Sequence, residues 1–302
     1  IISRAIRRAC MRILITGSGG QIGQNLVKFG DHYGHEILAA DSSDVDVRDL
    51  SALQRVFVTY KPELVINAAA YTNMDEAESK PELAYEINEV GPRHLAETCA
   101  DLKIPMIQIS NVEIFDGSSE HPYLEEDIAN PISVFGSSRL AGEVAIRRTL
   151  EKHLILRVGW LFCTSNKNFV TEVVNAAQYD APIYIHDGLT GNPTCAACLA
   201  RAIYKIIGQY ADEKTLPWGT YHYAHDPAIG RVEFAERILQ HAQRLGKAPA
   251  EATIHSIRRP AQTPKARRPA NSELATSKFK ATFGIEPKDW HECLDATLER
   301  LS

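Results

Sequence analysis

The sequence predicts an α/β protein with a doubly wound parallel sheet and a smaller C-terminal lobe. Through its first half, short apolar segments alternate with longer amphipathic ones, as in parallel strands joined by crossover helices. A glycine-rich segment follows the first apolar run, where folds of this class turn from a strand into a helix. The 302 residues are 44% hydrophobic, which suffices for one large domain with an attached lobe.

Each predicted strand is a brief apolar run that ends in small or polar residues. The predicted strands are Arg12–Thr16, Glu36–Ala40, Leu64–Asn67, Met106–Ser110 and Leu154–Val158. The segments between them have helical character, and Pro62 stops the second of these helices. The predicted helices are Gln21–Phe29, Ser51–Tyr60, Glu82–Leu102 and Ser133–Thr149.

Composition excludes several classes of function. A net charge of −5 argues against general nucleic-acid binding, and no apolar run is long enough to span a membrane. The six cysteines are scattered along the chain, so we expect no disulfide framework. Residues 1–10 lack the continuous apolar core of a secretory signal. We expect them to be a tail ahead of Met11, and the protein to be cytoplasmic without nucleic-acid or membrane partners.

The segment TGSGGQIG (Thr16–Gly23) directly follows the first strand and opens the first helix. Gly17, Gly20 and Gly23 are three residues apart, and such glycines let the backbone approach a pyrophosphate at a helix N-terminus. A merely structural turn is the alternative. The context predicts a Rossmann site for NAD(H) or NADP(H), to which Gln21 and Ile22 also belong.

Further cofactor contacts are expected at the ends of the next two strands. Asp41 follows the second strand, and a carboxylate there accepts hydrogen bonds from a ribose diol and repels a 2′-phosphate. This slightly favours NADH over NADPH, unless Arg48 turns toward the phosphate; a solvated turn carboxylate is the other interpretation. Asp46 and Val47 are expected to flank the adenine. The third strand is followed by three small side chains, which let a cofactor lie close to the backbone: Ala68, Ala69 and Ala70. Tight packing between helix and sheet explains these alanines almost as well.

These signals divide the chain into three parts. Residues 1–10 form the tail, and residues 11–160 the NAD(P)-binding domain. Residues 161–302 form mostly a substrate-binding lobe, from which some segments return to the sheet.

Ordered motifs extend from Met11 to the C-terminus. They are GQIG (Gly20–Gly23), AAAYTNMDEAE (Ala68–Glu78), AYEINEVGPRHLAE (Ala84–Glu97), IFDG (Ile114–Gly117) and NPISVFGSSRLAGE (Asn130–Glu143), then RVGWLF, NFV, GNPT, GTYH and RRPANSEL. In type and order they resemble the dTDP-4-dehydrorhamnose reductase family of the extended short-chain dehydrogenases.

The resemblance implies reduction of the 4-keto group of a dTDP-linked 6-deoxyhexose by hydride from the nicotinamide. In the family a tyrosine protonates the alkoxide, a lysine four residues later lowers its pKa and holds the ribose, and a serine or threonine holds the substrate oxygen. Tyr71 is implied at the cofactor. The residues implied at the sugar nucleotide are Trp160, Asn168, Arg268 and Asn271.

The two central catalytic positions depart from this pattern. Phe135 stands at the tyrosine position and has no proton to give, and Arg139 replaces the lysine. Ser110 and Asn111 remain as hydrogen-bond donors for a carbonyl. Water-mediated proton relay is one alternative, through nearby hydroxyls at Ser133, Ser137, Ser138 and Tyr123. The chain is thus expected to be either a weak NAD(P)H-dependent ketoreductase or a catalytically silent protein that binds NAD(P) or a nucleotide-sugar. The silent protein would act on a partner protein. The sequence also leaves open whether the chain forms a homodimer.

Three other signals are weaker. Cys195 and Cys198 have zinc-ligand or redox spacing, but one such pair is weak evidence. With Thr194 as helix N-cap, we expect both cysteines to pack in a helix. His222 and His225 have no evident third ligand and are expected to be core or surface residues, so no metal is predicted. The basic segment Arg258–Ala270 suggests a structured loop near an anionic substrate or a patch for polyanions.

Overall fold

A computed structural model describes residues 10–179, 181–258 and 265–301. Its strands, in chain order, are β1 (Arg12–Thr16), β2 (Glu36–Ala40), β3 (Leu64–Asn67), β4 (Met106–Asn111), β5 (His153–Val158), β6 (Trp160–Phe162), β7 (Ile183–His186), β8 (Thr190–Gly191), β9 (Pro193–Cys195), β10 (Gly219–Tyr223), β11 (Ile229–Gly230), β12 (Ile254–Ile257) and β13 (Asn271–Ser272).

The helices are α1 (Gln21–Gly30), α2 (Leu50–Tyr60), α3 (Met74–Ala77), α4 (Pro81–Tyr85), α5 (Gly91–Leu102), α6 (Val134–Thr149), α7 (Phe169–Ala176), α8 (Ala196–Glu213), α9 (Arg231–Arg244), α10 (Ser277–Phe283) and α11 (Trp290–Arg300). Short 3₁₀ turns lie at Asp31–Tyr33 and Val112–Ile114. The five predicted strands are confirmed, with β4 and β5 each one residue longer than expected.

Six parallel strands form the central sheet in the order β10-β5-β4-β3-β1-β2. The predicted α/β fold with a parallel Rossmann sheet is therefore confirmed. The chain reverses direction across the sheet between β1 and β3, and ligands of such sheets bind outside the strand ends at this switch point. The far edge strand, β10, comes from residues 219–223 and pairs with β5.

The predicted helix Glu82–Leu102 is present but irregular. A π-helical turn at Glu86–Val90 joins α4 to α5. Its Asn88 is buried, accepts a hydrogen bond from the Tyr71 N–H at 2.8 Å and donates to Ser138 Oγ at 3.0 Å. The turn thus braces the loop after β3 against α6. Sequence periodicity missed it, because one extra residue barely changes an apolar pattern.

Apolar clusters cover both faces of the sheet and fill the C-terminal lobe. One lies between the sheet and helices α1 and α8, and a second lies between the sheet and helices α2, α5 and α6. A third fills the lobe around Phe162, Phe234 and Trp290. That lobe also carries the small sheets β11-β8-β13, β12-β7 and β6-β9. Among the described residues, no helix has both the length and the apolar character needed to cross a membrane.

Candidate active site

The glycine turn after β1 is shaped by close backbone contacts. Gly17 has φ +69°, and a Cβ there would lie 2.4 Å from the Ala69 nitrogen. A Cβ on Gly23 would lie 2.1 Å from the Gly17 oxygen, so α1 packs directly on the turn. Gly20 is the N-cap of α1 and offers no capping side chain. The first N–H groups of α1 therefore remain available for an anion such as a pyrophosphate.

A cavity of about 800 Å³ extends from this turn along the switch point into the C-terminal lobe. Its volume is typical of a ligand site. Most of the predicted site residues line it: Gly17, Gly20, Gln21, Ile22, Asp41, Asp46, Val47, Ala68, Ala69, Ala70, Ser110, Asn111, Phe135, Arg139, Trp160, Asn168 and Arg268. Gly23, Tyr71 and Asn271 do not line it.

These three residues have other contacts. Gly23 supports the turn from behind, and the Tyr71 backbone is held by Asn88. The Asn271 side chain donates to the Ser119 carbonyl at 2.9 Å. Asn168 lines the cavity, but its side chain also caps α7 and donates to the Cys163 carbonyl at 3.0 Å.

At the adenosine end, Asp41 and Arg48 have different environments. The Asp41 carboxylate packs on Gly19, where a Cβ would lie 2.3 Å from its Oδ2. Arg48 is held by Asp46 at 2.7 Å and by Glu86 at 3.0 Å. The hydrogen bonds that Arg48 donates to both carboxylates raise its pKa. Arg48 must therefore leave two partners before it can reach a 2′-phosphate.

Phe135 and Arg139 lie one turn apart on α6 and both line the cavity. Arg139 is only 5% exposed, and its Nη2 donates to the Ile109 carbonyl. Its Nε and Nη1 have no partner among the described residues. Burial lowers the pKa of Arg139 to about 10, so it stays charged at neutral pH. Two donors of a buried cation are thus left for a ligand.

Ser110 is less available than the sequence suggested. Its hydroxyl donates to Glu143 Oε1 at 2.6 Å, and Glu143 is ion-paired with Arg157 and Arg147, each at 2.9 Å. Burial opposes ionisation of Glu143, but Arg157 prevails and lowers its pKa. The Ser110 hydroxyl is therefore already engaged with Glu143 in a buried network of ion pairs. Asn111 lines the cavity, and among the described residues its Oδ1 has no partner, so it can accept a hydrogen bond from a substrate hydroxyl.

The structure adds Glu113, which sequence reasoning missed. It lies in the 3₁₀ turn after β4 and lines the cavity. Its Oε2 is buried and has no hydrogen-bond partner within the described ranges. Burial raises the pKa of Glu113 to about 7, although Arg268 and Arg231 oppose this shift. A carboxyl with such a pKa suits proton transfer at neutral pH.

Arg231, the first residue of α9, was missed as well. Its guanidinium lies 3.9 Å from the centre of the Phe169 ring and 5.3 Å from that of Trp160. Burial and the nearby Arg268 lower the pKa of Arg231 to about 10. Arg268 approaches Asp75 only at 3.8 Å. Two poorly neutralised arginines therefore give this end of the cavity a positive charge. No local pattern marks Arg231, because only the folded lobe brings it there.

The hydroxyls considered for an alternative proton relay do not line the cavity. Ser133 caps α6, and Ser138 bonds the Phe135 carbonyl at 2.9 Å. Tyr123 donates to Asp116 at 3.0 Å. Ser137 also does not line the cavity. This arrangement gives no support to the relay alternative.

The expected N-cap at Thr194 is wrong. Thr194 lies inside β9, and Cys195 is the N-cap of α8. The basic segment Arg258–Ala270 is described only in part, because residues 259–264 lie outside the described residues. Its Arg268 does lie at the cavity, near the residues expected to hold an anionic substrate.

A parallel sheet with a bare glycine turn at its switch point, opening into a cavity, is the arrangement of a Rossmann-type dinucleotide-binding protein. The family model described as "RmlD substrate binding domain" matches residues 11–302. The chain belongs to this family, that of the dTDP-4-dehydrorhamnose reductases.

Known proteins of this kind are similar over nearly their whole length. The dTDP-4-dehydrorhamnose reductase of Aggregatibacter actinomycetemcomitans is 32% identical over 284 residues, covering 94% of this chain and 97% of the relative. A crystal structure of the Clostridium acetobutylicum reductase superposes with a TM-score of 0.86 at 30% identity, covering 96% and 99%. The Bacillus anthracis reductase, solved with NADP, gives 0.86 at 27% identity, covering 97% and 99%.

Proposed function

We propose that this protein reduces the 4-keto group of a dTDP-linked 6-deoxyhexose with NADH or NADPH, in the cytoplasm. One observation carries the proposal. A single cavity is lined both by the dinucleotide turn at Gly17 and by the arginine pair Arg231 and Arg268, and Asn111 and Glu113 line it as well. A cofactor and an anionic sugar nucleotide therefore have room to meet in one space.

The residues present fit the dinucleotide. The N–H groups that follow Gly20 suit the pyrophosphate, and Asp41 suits a ribose diol. Arg139 Nε and Nη1, which lack partners among the described residues, suit the nicotinamide ribose oxygens. When bound, the cofactor supplies the hydride.

The proton requires a different donor from the tyrosine of the family pattern. Phe135 has none to give, and Ser110 is held by Glu143. Glu113 is the cavity-lining carboxyl whose pKa is raised, to about 7. We assign Glu113 the role of protonating the substrate oxygen at C4, to which the Nδ2–H of Asn111 would donate a hydrogen bond.

The arginine pair suits the diphosphate of the sugar nucleotide. Arg231 is immobilised against Phe169 and Trp160, so little side-chain entropy is lost when it binds an anion. Charge-assisted hydrogen bonds to phosphate are among the strong ones. The sugar would then lie between the pair and Asn111.

The loss of the phenol at position 135 favours one competing function: a silent protein that binds NAD(P) or a sugar nucleotide and regulates a partner protein or a second copy of itself. Both functions predict ligand binding. Only the reductase consumes NADH or NADPH in the presence of dTDP-4-dehydrorhamnose.

The test is cofactor oxidation with dTDP-4-dehydrorhamnose across pH 5 to 9, with Glu113→Gln beside the exposed control Glu82→Gln. We expect slow turnover by the parent that falls above about pH 7, because ionised Glu113 has no proton to give. Glu113→Gln should lose roughly 10- to 100-fold in rate, together with this pH dependence. An unchanged pH profile in Glu113→Gln would exclude this acid. No oxidation of either cofactor by the parent, with both ligands bound, would favour the regulatory function.

The Glu113 carboxyl also makes the free energy of unfolding depend on pH. Its folded pKa of about 7 exceeds the ordinary 4.5, so the unfolded chain ionises first and stability falls as pH rises between these values. The total loss is about 3 kcal/mol. Urea unfolding at pH 4.5 and pH 7.5 should show a smaller difference in Glu113→Gln than in the parent.

A further inference from the structure

Three cysteine side chains from distant parts of the chain meet inside the C-terminal lobe. Cys195 ends β9, Cys198 lies in the first turn of α8, and Cys293 lies on α11. Their sulfur atoms all lie within 4.8 Å of one another, and Cys198 and Cys293 are 3.2 Å apart. Their exposed fractions are only 5%, 9% and 6%. The pair visible in the sequence thus gains a third thiol from 95 residues away.

A buried histidine lies near one of the three thiols. His225, two residues after β10, is completely buried and close enough to Cys195 to interact with it electrostatically, but it lies outside the group whose sulfur atoms are all within 4.8 Å of one another. Its Nδ1 hydrogen-bonds to the Lys288 carbonyl, whereas its Nε2 has no partner in the part of the chain that the structure describes. An Nδ1–H that donates to a carbonyl leaves the Nε2 lone pair available, as is usual in histidines that bind metals.

We propose that Cys195, Cys198 and Cys293 form a structural zinc site, with the unpartnered Nε2 of His225 turning toward the metal as the fourth ligand. Zn²⁺ prefers four tetrahedral sulfur and nitrogen ligands, and Zn–S bonds of about 2.3 Å place the sulfurs about 3.8 Å apart. The observed sulfur separations, from 3.2 Å to at most 4.8 Å, bracket this value. The N-terminus of α8 adds a positive dipole end that stabilises thiolates.

The site is separate from the proposed reaction. None of its four ligands lines the cavity. A closed set of four protein ligands leaves no position for substrate, which is the form of a structural rather than a catalytic zinc.

Such a site would join three segments of the lobe: the β9–α8 junction, the segment after β10, and α11. On α11, Trp290 is fully buried and packs edge-on against Phe234 of α9, at 5.3 Å between ring centres. Helix α9 begins with Arg231. Zinc would therefore stabilise the part of the lobe that places an arginine at the cavity.

The competing outcome is a disulfide between Cys198 and Cys293. It would consume two of the ligands and leave Cys195 and His225 without a metal. Zinc content and thiol oxidation can both be measured on the full-length protein, so the two outcomes are distinguishable.

The experiment is elemental analysis of the full chain, purified under reducing conditions with Zn²⁺ supplied and excess metal removed. We expect about one zinc per chain. Cys198→Ser, Cys293→Ser and His225→Ala should each hold less than about 0.3. Cys99→Ala is the matched control, since Cys99 is also a buried thiol but lies on α5, and it should retain the full content.

A second measurement covers variants that fail to fold. Co²⁺ exchanged into the parent should show thiolate charge-transfer and tetrahedral ligand-field absorption, and zinc should raise the parent's Tm by roughly 3 °C or more. Less than about 0.1 zinc per parent chain, with a Tm that zinc does not move, would overturn the proposal. So would a Cys198–Cys293 disulfide found by mass spectrometry in protein kept under reducing conditions.

Discussion

The two halves of the cavity differ in what builds them. At the dinucleotide end, backbone geometry dominates: the positive φ of Gly17, the bare N-terminus of α1 and the close approach of Ala69. At the proposed reaction centre, single side-chain atoms would decide the chemistry. There Phe135 and Arg139 lie on helix α6 at the positions where the sequence resemblance implies a tyrosine and a lysine.

This difference teaches that a site made by the backbone is retained as long as the fold is retained. A site made by side chains can change without disturbing it. Phe135 keeps the apolar packing of its position beside Met74 and Ala77 and lacks only the phenolic oxygen.

The sharpest test of the comparison restores the side chains. Phe135→Tyr with Arg139→Lys should raise the rate of dTDP-4-dehydrorhamnose reduction by about 10²- to 10⁴-fold, because a phenol activated by a lysine is a general acid. The gain should exceed the product of the single changes, since the two side chains act as one unit. Steady-state cofactor oxidation measures it. A parent already turning over at about 1–10³ per second would contradict the comparison.

The next test disrupts the glycine turn at the dinucleotide end of the cavity. Gly17→Ala should weaken cofactor binding by at least roughly 100-fold, because its Cβ would displace the turn from β3. Gly34→Ala is a matched control: Gly34 also has positive φ, at +77°, but a Cβ there meets nothing within 4 Å. Gly34→Ala therefore introduces the same kind of backbone strain as Gly17→Ala but no steric clash. Fluorescence titration with NADH and NADPH measures both. Equal affinities for the two variants would mean that the turn does not hold the cofactor.

A third test separates sugar-nucleotide binding from cofactor binding. Arg231→Ala should raise the KM for dTDP-4-dehydrorhamnose roughly 10- to 100-fold, because a charge-assisted contact to phosphate is lost. The cofactor Kd should remain unchanged. Arg237→Ala on the same helix is the control, since Arg237 is exposed and paired with Glu233 at 3.4 Å. A parallel weakening of cofactor binding would place Arg231 at the dinucleotide instead.

The smallest expected effect concerns cofactor choice. The parent should bind NADH more tightly than NADPH, and Asp41→Ser should shift this ratio toward NADPH by about tenfold by removing one repulsive charge. Asp44→Ser in the same turn is the control. Tighter NADPH binding by the parent would show that Arg48 leaves Asp46 and Glu86 for the phosphate.

The sequence predicted the features whose patterns are local, and it missed those that depend on residues far apart in the chain. Strands β1 to β5 and the glycine turn were predictable because their patterns are local. The roles of Ser110 and of Cys195 and Cys198 were not, because their decisive partners, Glu143 and Cys293, lie 33 and 95 residues away. Arg231 likewise reaches the cavity only through the packing of the C-terminal lobe.

The π turn at Glu86–Val90 also constrains how the chain can tolerate length changes. Deleting one residue there would restore a regular α-helix, but it would rotate everything on one side by about 100° relative to the other. Asn88 would then no longer face both Tyr71 and Ser138. When sequences related to this one are aligned, a single-residue gap in this helix would therefore mark a chain whose loop after β3 is held in another way.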